Sequence, residues 1–306
     1  MTQVAEKHAT LQHTVVTEQE WIAARKELLG REKEFTRQRD ELSRLRRELP
    51  WVKVSQNYVF DGPNGKETLA DLFGGKSQLI IYHFMFGPGW EEGCPSCSML
   101  ADHMNGILTH LAQRDARFVA VSRARANQIE AFKKRMGWNF KWVSSFENGF
   151  NRDFNVSFSQ QEMAAQNMYY NYQMQNFPAD EAPGVSVFYK DDAGNIFHTY
   201  SAYGRGLDIL LNVYNFLDMT PKGRDEDALA FPMAWVRHHD RYPADVQSED
   251  VQSEDVQSED VQSEDVQSPD VQAASTSAAA QSTAAQATSH NKDKGAAGSC
   301  CSHEVA

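Results

Sequence analysis

Leu79-Ile80-Ile81-Tyr82-His83-Phe84-Met85-Phe86, the linker Gly87-Pro88-Gly89-Trp90-Glu91-Glu92-Gly93 and the tetrapeptide Cys94-Pro95-Ser96-Cys97 form the stretch on which the fold turns. The first eight residues are rich in β-branched and aromatic side chains, the composition of a buried strand. From Pro95 onward, apolar residues fall at Leu100, Met104, Ile107, Leu108 and Leu111, which is helical spacing. Two cysteines three residues apart at a strand–loop–helix junction are placed for dithiol chemistry, because a helix N-terminus stabilises a thiolate. Pro95 suits the first helical position, where its missing N–H removes no hydrogen bond. That puts Cys94 at the N-cap, facing free N–H groups, and Cys97 about one turn further in, buried and protonated. Cys94 is then the attacking thiolate and Cys97 the resolving thiol. Glu91 and Glu92 oppose this, since nearby like charge raises a thiol pKa. Arg123 and Arg125, after the next strand, are the expected counterweight.

Outward from this unit the pattern is α/β. Thr17-Glu18-Gln19-Glu20 is a capping box opening a charged helix that Pro50 ends. Residues 52–60 read as one or two short strands and 68–73 as a helical turn. One helix is predicted to follow the cysteines as far as about residue 113. Residues 117–122 read as a second buried strand and 127–136 as a helix with Ile129, Phe132 and Met136 on one face. Two strands, 185–189 and 196–200, flank Asp191-Asp192-Ala193-Gly194-Asn195, which has hairpin turn chemistry. Leu207, Leu210, Leu211, Tyr214 and Leu217 mark a last amphipathic helix. A mixed sheet covered on both faces is implied. Between 146 and 177 the periodicity fails. That Asn-, Gln-, Met- and Tyr-rich stretch is either a lid giving aromatic walls to a site at the dithiol, or an insertion packing its own aromatics.

The chain of 306 residues carries a formal charge of −12, which argues against nucleic-acid binding, although the tail contributes much of that charge. A pentad, Asp-Val-Gln-Ser-Glu, repeats from Asp245, Asp250, Asp255 and Asp260, and an Ala/Ser/Thr/Gln tract follows. Such sequence has too little apolar surface to offset the entropy of ordering, so a disordered acidic tail is expected over 243–306. No run of about 18 apolar residues suggests a membrane span, and residues 1–16 lack the apolar region of a signal peptide. A reducing cytoplasm is the expected location, where a C-x-x-C pair is catalytic or metal-binding rather than a structural staple. Near the other end, Cys300-Cys301 hang on a tether spanning on the order of 40 Å, long enough to visit Cys94 and Cys97. Incidental tail cysteines are the simpler reading. Leu28, Phe35, Leu42 and Leu49 recur every seven residues and raise a coiled-coil dimer arm. Arg31 and Gln38 at alternate core positions favour a helix packed along the domain's side, with a homodimer left open. His238-His239 are read as surface residues, because adjacent side chains point in different directions.

The order strand, C-x-x-C at a helix start, strand, helix, Ala182-Pro183 turn, hairpin and terminal helix resembles the thioredoxin fold. More narrowly, the run from Phe84 to Cys97 resembles the signature of a thioredoxin-like family catalogued as a domain of unknown function, domain 899. Its members are described as predicted dithiol–disulfide oxidoreductases. Ala131-Phe132-Lys133-Lys134-Arg135-Met136-Gly137-Trp138, Ser186-Val187-Phe188-Tyr189-Lys190-Asp191-Asp192 and Asp218-Met219-Thr220-Pro221-Lys222-Gly223-Arg224-Asp225-Glu226 are similar to the same family. The resemblance implies an N-terminal helical extension over 1–50 and a thioredoxin-like domain over 51–242, a mixed sheet flanked by helices. It also implies that Pro183 faces the dithiol. Two features depart from known patterns. Gly93, not Trp, precedes the first cysteine, with Trp90 further back. The Pro and Thr that precede a peroxiredoxin's nucleophilic Cys at set distances are absent. The site is expected to comprise Cys94 and Cys97, supported by Trp90, Pro95, Ser96, Arg123 and Pro183. No cofactor and no metal are called for. The partners are a disulfide-bearing protein or small molecule and a thiol reductant of unknown identity. Two other readings stay open: a redox-inert binding module, and a soft-metal thiol site with His83 and His103 as the near candidates for further ligands.

Overall fold

In the computed structural model, which describes residues 13–243, the chain opens with α1 (Glu18–Glu48), capped as its sequence predicts. Thr17 Oγ1 accepts from the Glu20 N–H, and the Glu20 carboxylate accepts from the Thr17 N–H. Short strands β1 (Val52–Lys53), β2 (Val59–Gly62) and β3 (Gly65–Thr68) and the one-turn helix α2 (Leu69–Leu72) lead to β4 (Gln78–His83). Then come α3 (Pro95–Ala101), α4 (Met104–Gln113), β5 (Ala116–Ser122), α5 (Ala126–Arg135) and β6 (Lys141–Ser144). Two short helices, α6 (Phe150–Asp153) and α7 (Gln160–Ala165), and a ribbon of β7 (Met168–Tyr170) and β8 (Gln173–Gln175) precede the hairpin of β9 (Gly184–Lys190) and β10 (Ile196–Tyr203). A 3-10 segment, Gly204–Leu210, runs into α8 (Asn212–Leu217).

Eight strands form one sheet in the order β1-β10-β9-β4-β5-β6-β2-β3. β4, β5 and β6 are parallel, and β9 runs antiparallel to β4, so Ile81 lies between Val119 and Ser186. Strand, helix, parallel strand, helix, antiparallel hairpin and closing helix around a mixed sheet is the thioredoxin-like arrangement.

Side-chain alternation along β4 splits the interior into two layers. Leu79 and Ile81 join Val119, Val121, Phe60, Phe150 and Phe188 on one face. Tyr82 and, beyond the strand, Phe84 and Phe86 join Cys97, Leu100, Phe132 and Trp142 on the other. His83 falls on the first face. Fully buried, it stacks against both Phe150 and Phe154, with Nε2 2.8 Å from Ser186 Oγ. It therefore sits on the far side of the sheet from the cysteines and cannot share a ligand with them.

Several expectations change. The helix after the cysteines is two helices, broken where the Asp102 carboxylate accepts from Trp138 Nε1 at 2.8 Å and lies 2.7 Å from His239 Nδ1. β6 was invisible to periodicity because its side chains are buried on both faces, Trp142 in one layer and Val143 in the other. The irregular stretch is no lid. Val156, Phe158, Met168 and Tyr170 pack with Ala182 and Tyr203 as a third cluster. α1 touches the domain's side only lightly: none of its residues is buried, and the Arg46 guanidinium lies over the Tyr200 ring. The tail repeats and Cys300-Cys301 lie outside the described residues.

Burial holds the His83 imidazole neutral, its pKa pushed down to about 3 from an ordinary 6.5. In the unfolded chain the ring takes a proton below about pH 6.5, and in the folded one it does not until about pH 3. Its contribution to stability is therefore complete above pH 6.5 and lost as the pH falls from there toward 3. Relative to His83→Leu, wild type should lose about 2 kcal/mol of unfolding free energy between pH 7 and pH 5. Denaturant titrations of both chains at the two pH values check this. A difference that does not change with pH would refute it.

Candidate active site

The site is assembled where the continuation of β4 meets the start of α3. Past His83 the backbone stays beside β5, with the Phe84 N–H on the Val121 carbonyl (3.0 Å) and the Ala124 N–H on the Phe86 carbonyl (2.7 Å). The backbone of Met85 then holds both cysteines. Its carbonyl accepts from the Cys94 N–H at 3.0 Å, and its N–H reaches the Cys97 sulfur. Cys94 is the N-cap of α3, Pro95 is the first helical residue, and the Cys94 carbonyl takes the first helical hydrogen bond from Ser98 N–H at 2.9 Å. Both cysteines are free thiols, Cys94 half-buried and Cys97 buried.

Their protonation differs for physical reasons. The Cys94 thiol is lowered to about 7, first by the hydrogen bond that the Cys97 thiol donates to its sulfur. The N–H groups of Cys97 and Ser96 and the Ser96 hydroxyl add to this, against the opposing effect of burial. No conventional side-chain cap bond is closed; the helix end acts through its N–H groups and dipole. Cys97 is pushed well up by burial and by the neighbouring Cys94, partly relieved by a hydrogen bond from the Tyr82 hydroxyl.

In front of the pair lies a cavity of about 850 Å³. Tyr82, Met85, Cys94, Ser96, Cys97 and Leu100 form one wall and Pro183 borders it. Leu207, Leu211, Tyr214, Lys222 and residues 224–227 close the opposite side. There the Arg224 guanidinium stacks 3.9 Å from the Tyr214 ring centroid and is fixed by Asp218 at 2.8 Å and Asp208 at 3.3 Å. Glu226 accepts from the Tyr214 hydroxyl, the Met233 N–H and Trp235 Nε1, which braces this wall from behind.

A family described as "Bacterial protein of unknown function (DUF899)" matches residues 10–242. The chain belongs to this family. No curated protein matches it. Among solved structures it is similar to peroxidoxin BcpB from Mycobacterium tuberculosis, at 12% identity and a TM-score of 0.36 over 54% of this chain and 94% of that one. Peroxiredoxin Q of Xanthomonas campestris has 15% identity and a TM-score of 0.35 over 51% and 88%. The mitochondrial 2-Cys peroxiredoxin of Plasmodium falciparum has 13% identity and a TM-score of 0.33 over 54% and 93%. At these values the likenesses carry no argument about activity.

Of the residues singled out in this DUF899 chain, the fold gathers Cys94, Cys97, Ser96 and Pro183 around one cavity, with Pro95 starting the helix behind them. Trp90 and Arg123 are not in its lining. Trp90 donates from Nε1 to Asp180 at 3.2 Å, and Arg123 is paired with buried Glu181 at 3.0 Å. Burial raises the Glu181 carboxyl to about 7, with Ser157 and Arg123 opposing. Arg123 is therefore no counterweight to the loop glutamates, and Arg125 lies over the Phe146 ring instead. Glu92 is neutralised by Arg135 at 2.6 Å and by Arg241. His238, read from sequence as a surface residue, is buried, with Nε2 2.8 Å from the Gly93 carbonyl. Among the described residues no group of three or more His, Cys, Asp or Glu is placed to hold a metal ion, and no helix is long and apolar enough to cross a membrane. The sequence reading missed Tyr82, His238 and the wall around Arg224. Tyr82 left a signal as a hydroxyl on the same strand face as Ile80 and Phe84, and the run from Asp218 to Glu226 stood out as family-like without pointing to the cysteines.

The position before Cys94 requires glycine for want of space. A Cβ on Gly93 would meet Phe84 Cε1 at 2.6 Å and Phe132 Cε1 at 2.9 Å, both rigid rings. Gly93→Ala is expected to destabilise the fold by about 1–3 kcal/mol and to slow alkylation of Cys94 by iodoacetamide. Unchanged melting and unchanged alkylation would show that the loop has room this packing denies.

Proposed function

We propose that the protein is a thiol–disulfide oxidoreductase in which Cys94 attacks and Cys97 resolves. The observation that carries the reading is the opposite displacement of two thiols three residues apart, one toward the thiolate and one toward the thiol, both opening on a cavity large enough for a substrate. The Cys94 thiolate attacks one sulfur of a substrate disulfide, forming a mixed disulfide and expelling one substrate thiolate, which takes a proton from solvent. Cys97 then gives up its proton and attacks the Cys94 sulfur, releasing the second substrate thiol and leaving a Cys94–Cys97 disulfide. An external thiol reductant returns that disulfide to the dithiol. The Tyr82 hydroxyl and the Met85 N–H stabilise Cys97 as it becomes anionic. With no Pro and Thr ahead of Cys94, disulfides rather than peroxides are the oxidised partner in this reading.

The full chain should show a Cys94–Cys97 reduction potential between about −120 and −270 mV against glutathione. Cys94 alkylation should gain rate through pH 7 rather than near 8.5. With bis(2-hydroxyethyl) disulfide, Cys97→Ser should accumulate an adduct that peptide mass places on Cys94, and Cys94→Ser should give none at Cys97. A pair that will not oxidise yet retains zinc through dialysis would refute the oxidoreductase reading in favour of a metal site.

Tyr82→Phe separates the two steps. Loss of one hydrogen bond of about 1 kcal/mol to the Cys97 thiolate should slow resolution about fivefold. The first attack by Cys94 should change little. Rapid-quench measurement of adduct formation and decay distinguishes the two. Equal slowing of both would mean that Tyr82 acts only by shaping the cavity.

A further inference from the structure

We propose that α1 pairs with α1 of a second copy of this chain as a parallel, in-register coiled coil. The helix is 31 residues long and none of them is buried, with Leu28 at 51%, Phe35 at 65% and Leu42 at 53% exposure. Its half-buried residues are Arg25, Ser43 and Arg46, and the Arg46 guanidinium lies over the Tyr200 ring. Arg46 and Ser43 fall on one side of the helix, about a quarter turn from the apolar stripe, so contact with the domain leaves the stripe open.

Written in heptads, the a positions are Trp21, Leu28, Phe35, Leu42 and Leu49, and the d positions are Ala24, Arg31, Gln38 and Leu45. Seven of these nine are apolar, which is the seam of a coiled coil rather than the broad face of a globular helix. The flanking charges name the partner. Every g position is glutamate: Glu20, Glu27, Glu34, Glu41 and Glu48. The e positions are Arg25, Glu32, Arg39 and Arg46. Parallel pairing sets each g residue against the e residue five places on in the other helix. That gives Glu20–Arg25, Glu34–Arg39 and Glu41–Arg46 as attractive pairs, and Glu27–Glu32 as the one repulsive pair. Beside that pair, at d, stands Arg31, its guanidinium already 3.9 Å from Glu27. Antiparallel pairing would instead line glutamate against glutamate along a whole edge. The charge pattern thus selects a second copy and selects its direction. A lipid surface is a poorer fit, because positive and negative charges are interspersed on the polar side instead of a basic face.

Size-exclusion chromatography with light scattering on the full chain at tens of micromolar should give a dimer. Leu28→Lys combined with Phe35→Lys should give a monomer whose domain melts as wild type does at high dilution, since α1 contributes nothing buried to it. Leu28→Cys, oxidised, should form a dimer joined 28 to 28 by peptide mass, a link that an antiparallel pair would hold apart. Arg39→Glu should weaken dimerisation about tenfold, and adding Glu34→Arg in the same chain should restore it. A monomeric wild type, a dimer untouched by the lysines, or a dimer without the 28–28 link would each overturn the proposal. None of these outcomes depends on whether Cys94 is redox-active, and failure of the thiol chemistry would leave this interface standing.

Discussion

One residue, Met85, ties the sheet to the thiols through its two backbone groups. Its carbonyl receives the Cys94 N–H and its N–H reaches the Cys97 sulfur, so the spacing of the two cysteines is referred to the end of β4 rather than to the loop between them. β4 in turn is fixed by β5 on one side and β9 on the other. A strand with apolar layers on both faces cannot slip by one residue without exchanging Tyr82 for His83 and turning the site inside out. The position of the two cysteines is thus set first by core packing, and the linker 87–93 is held in turn at Gly93, against the Phe84 and Phe132 rings and by His238.

That placement explains how two chemically identical groups one helical turn apart come to differ. Each unit of pKa separation is about 1.4 kcal/mol of differential interaction. Here it arises from geometry that no charged side chain has to supply. Cys94 stands in front of the free N–H groups of α3, and Cys97 stands behind them in the core. Of the linker glutamates, which would work the other way, Glu92 is drawn off by Arg135 and Arg241. The basic residues that do this come from α5 and from the end of the described chain, not from the strand end beside the cysteines.

The thioredoxin-like core was legible because its signals are local. A β-branched and aromatic run, proline after a cysteine, and Asp-Ala-Gly-Asn between two strands each state a backbone preference within a few residues. β6 left no such mark, since Trp142 and Val143 face two different layers and give neither alternation nor helical spacing. His238 was misread for a related reason. The rule that adjacent side chains diverge is correct, but it does not say which of two histidines points inward, and that depends on a carbonyl far away in sequence. The wall around Arg224 was visible as a family-like run from Asp218 to Glu226, yet nothing in that run says that it faces the cysteines.

The bond from His238 to the Gly93 carbonyl spans 145 residues. Gly93 immediately precedes Cys94, so the loop that carries Cys94 is pinned by the last part of the described chain. On a ribosome, β4, α3 and β5 emerge long before that residue does. Until it emerges, the linker lacks its anchor and Glu92 lacks the Arg241 that helps to neutralise it. In this fold an anchor of the loop that carries Cys94 therefore comes from a residue far along the chain, and the two cysteines reach their full setting only once both parts are in place.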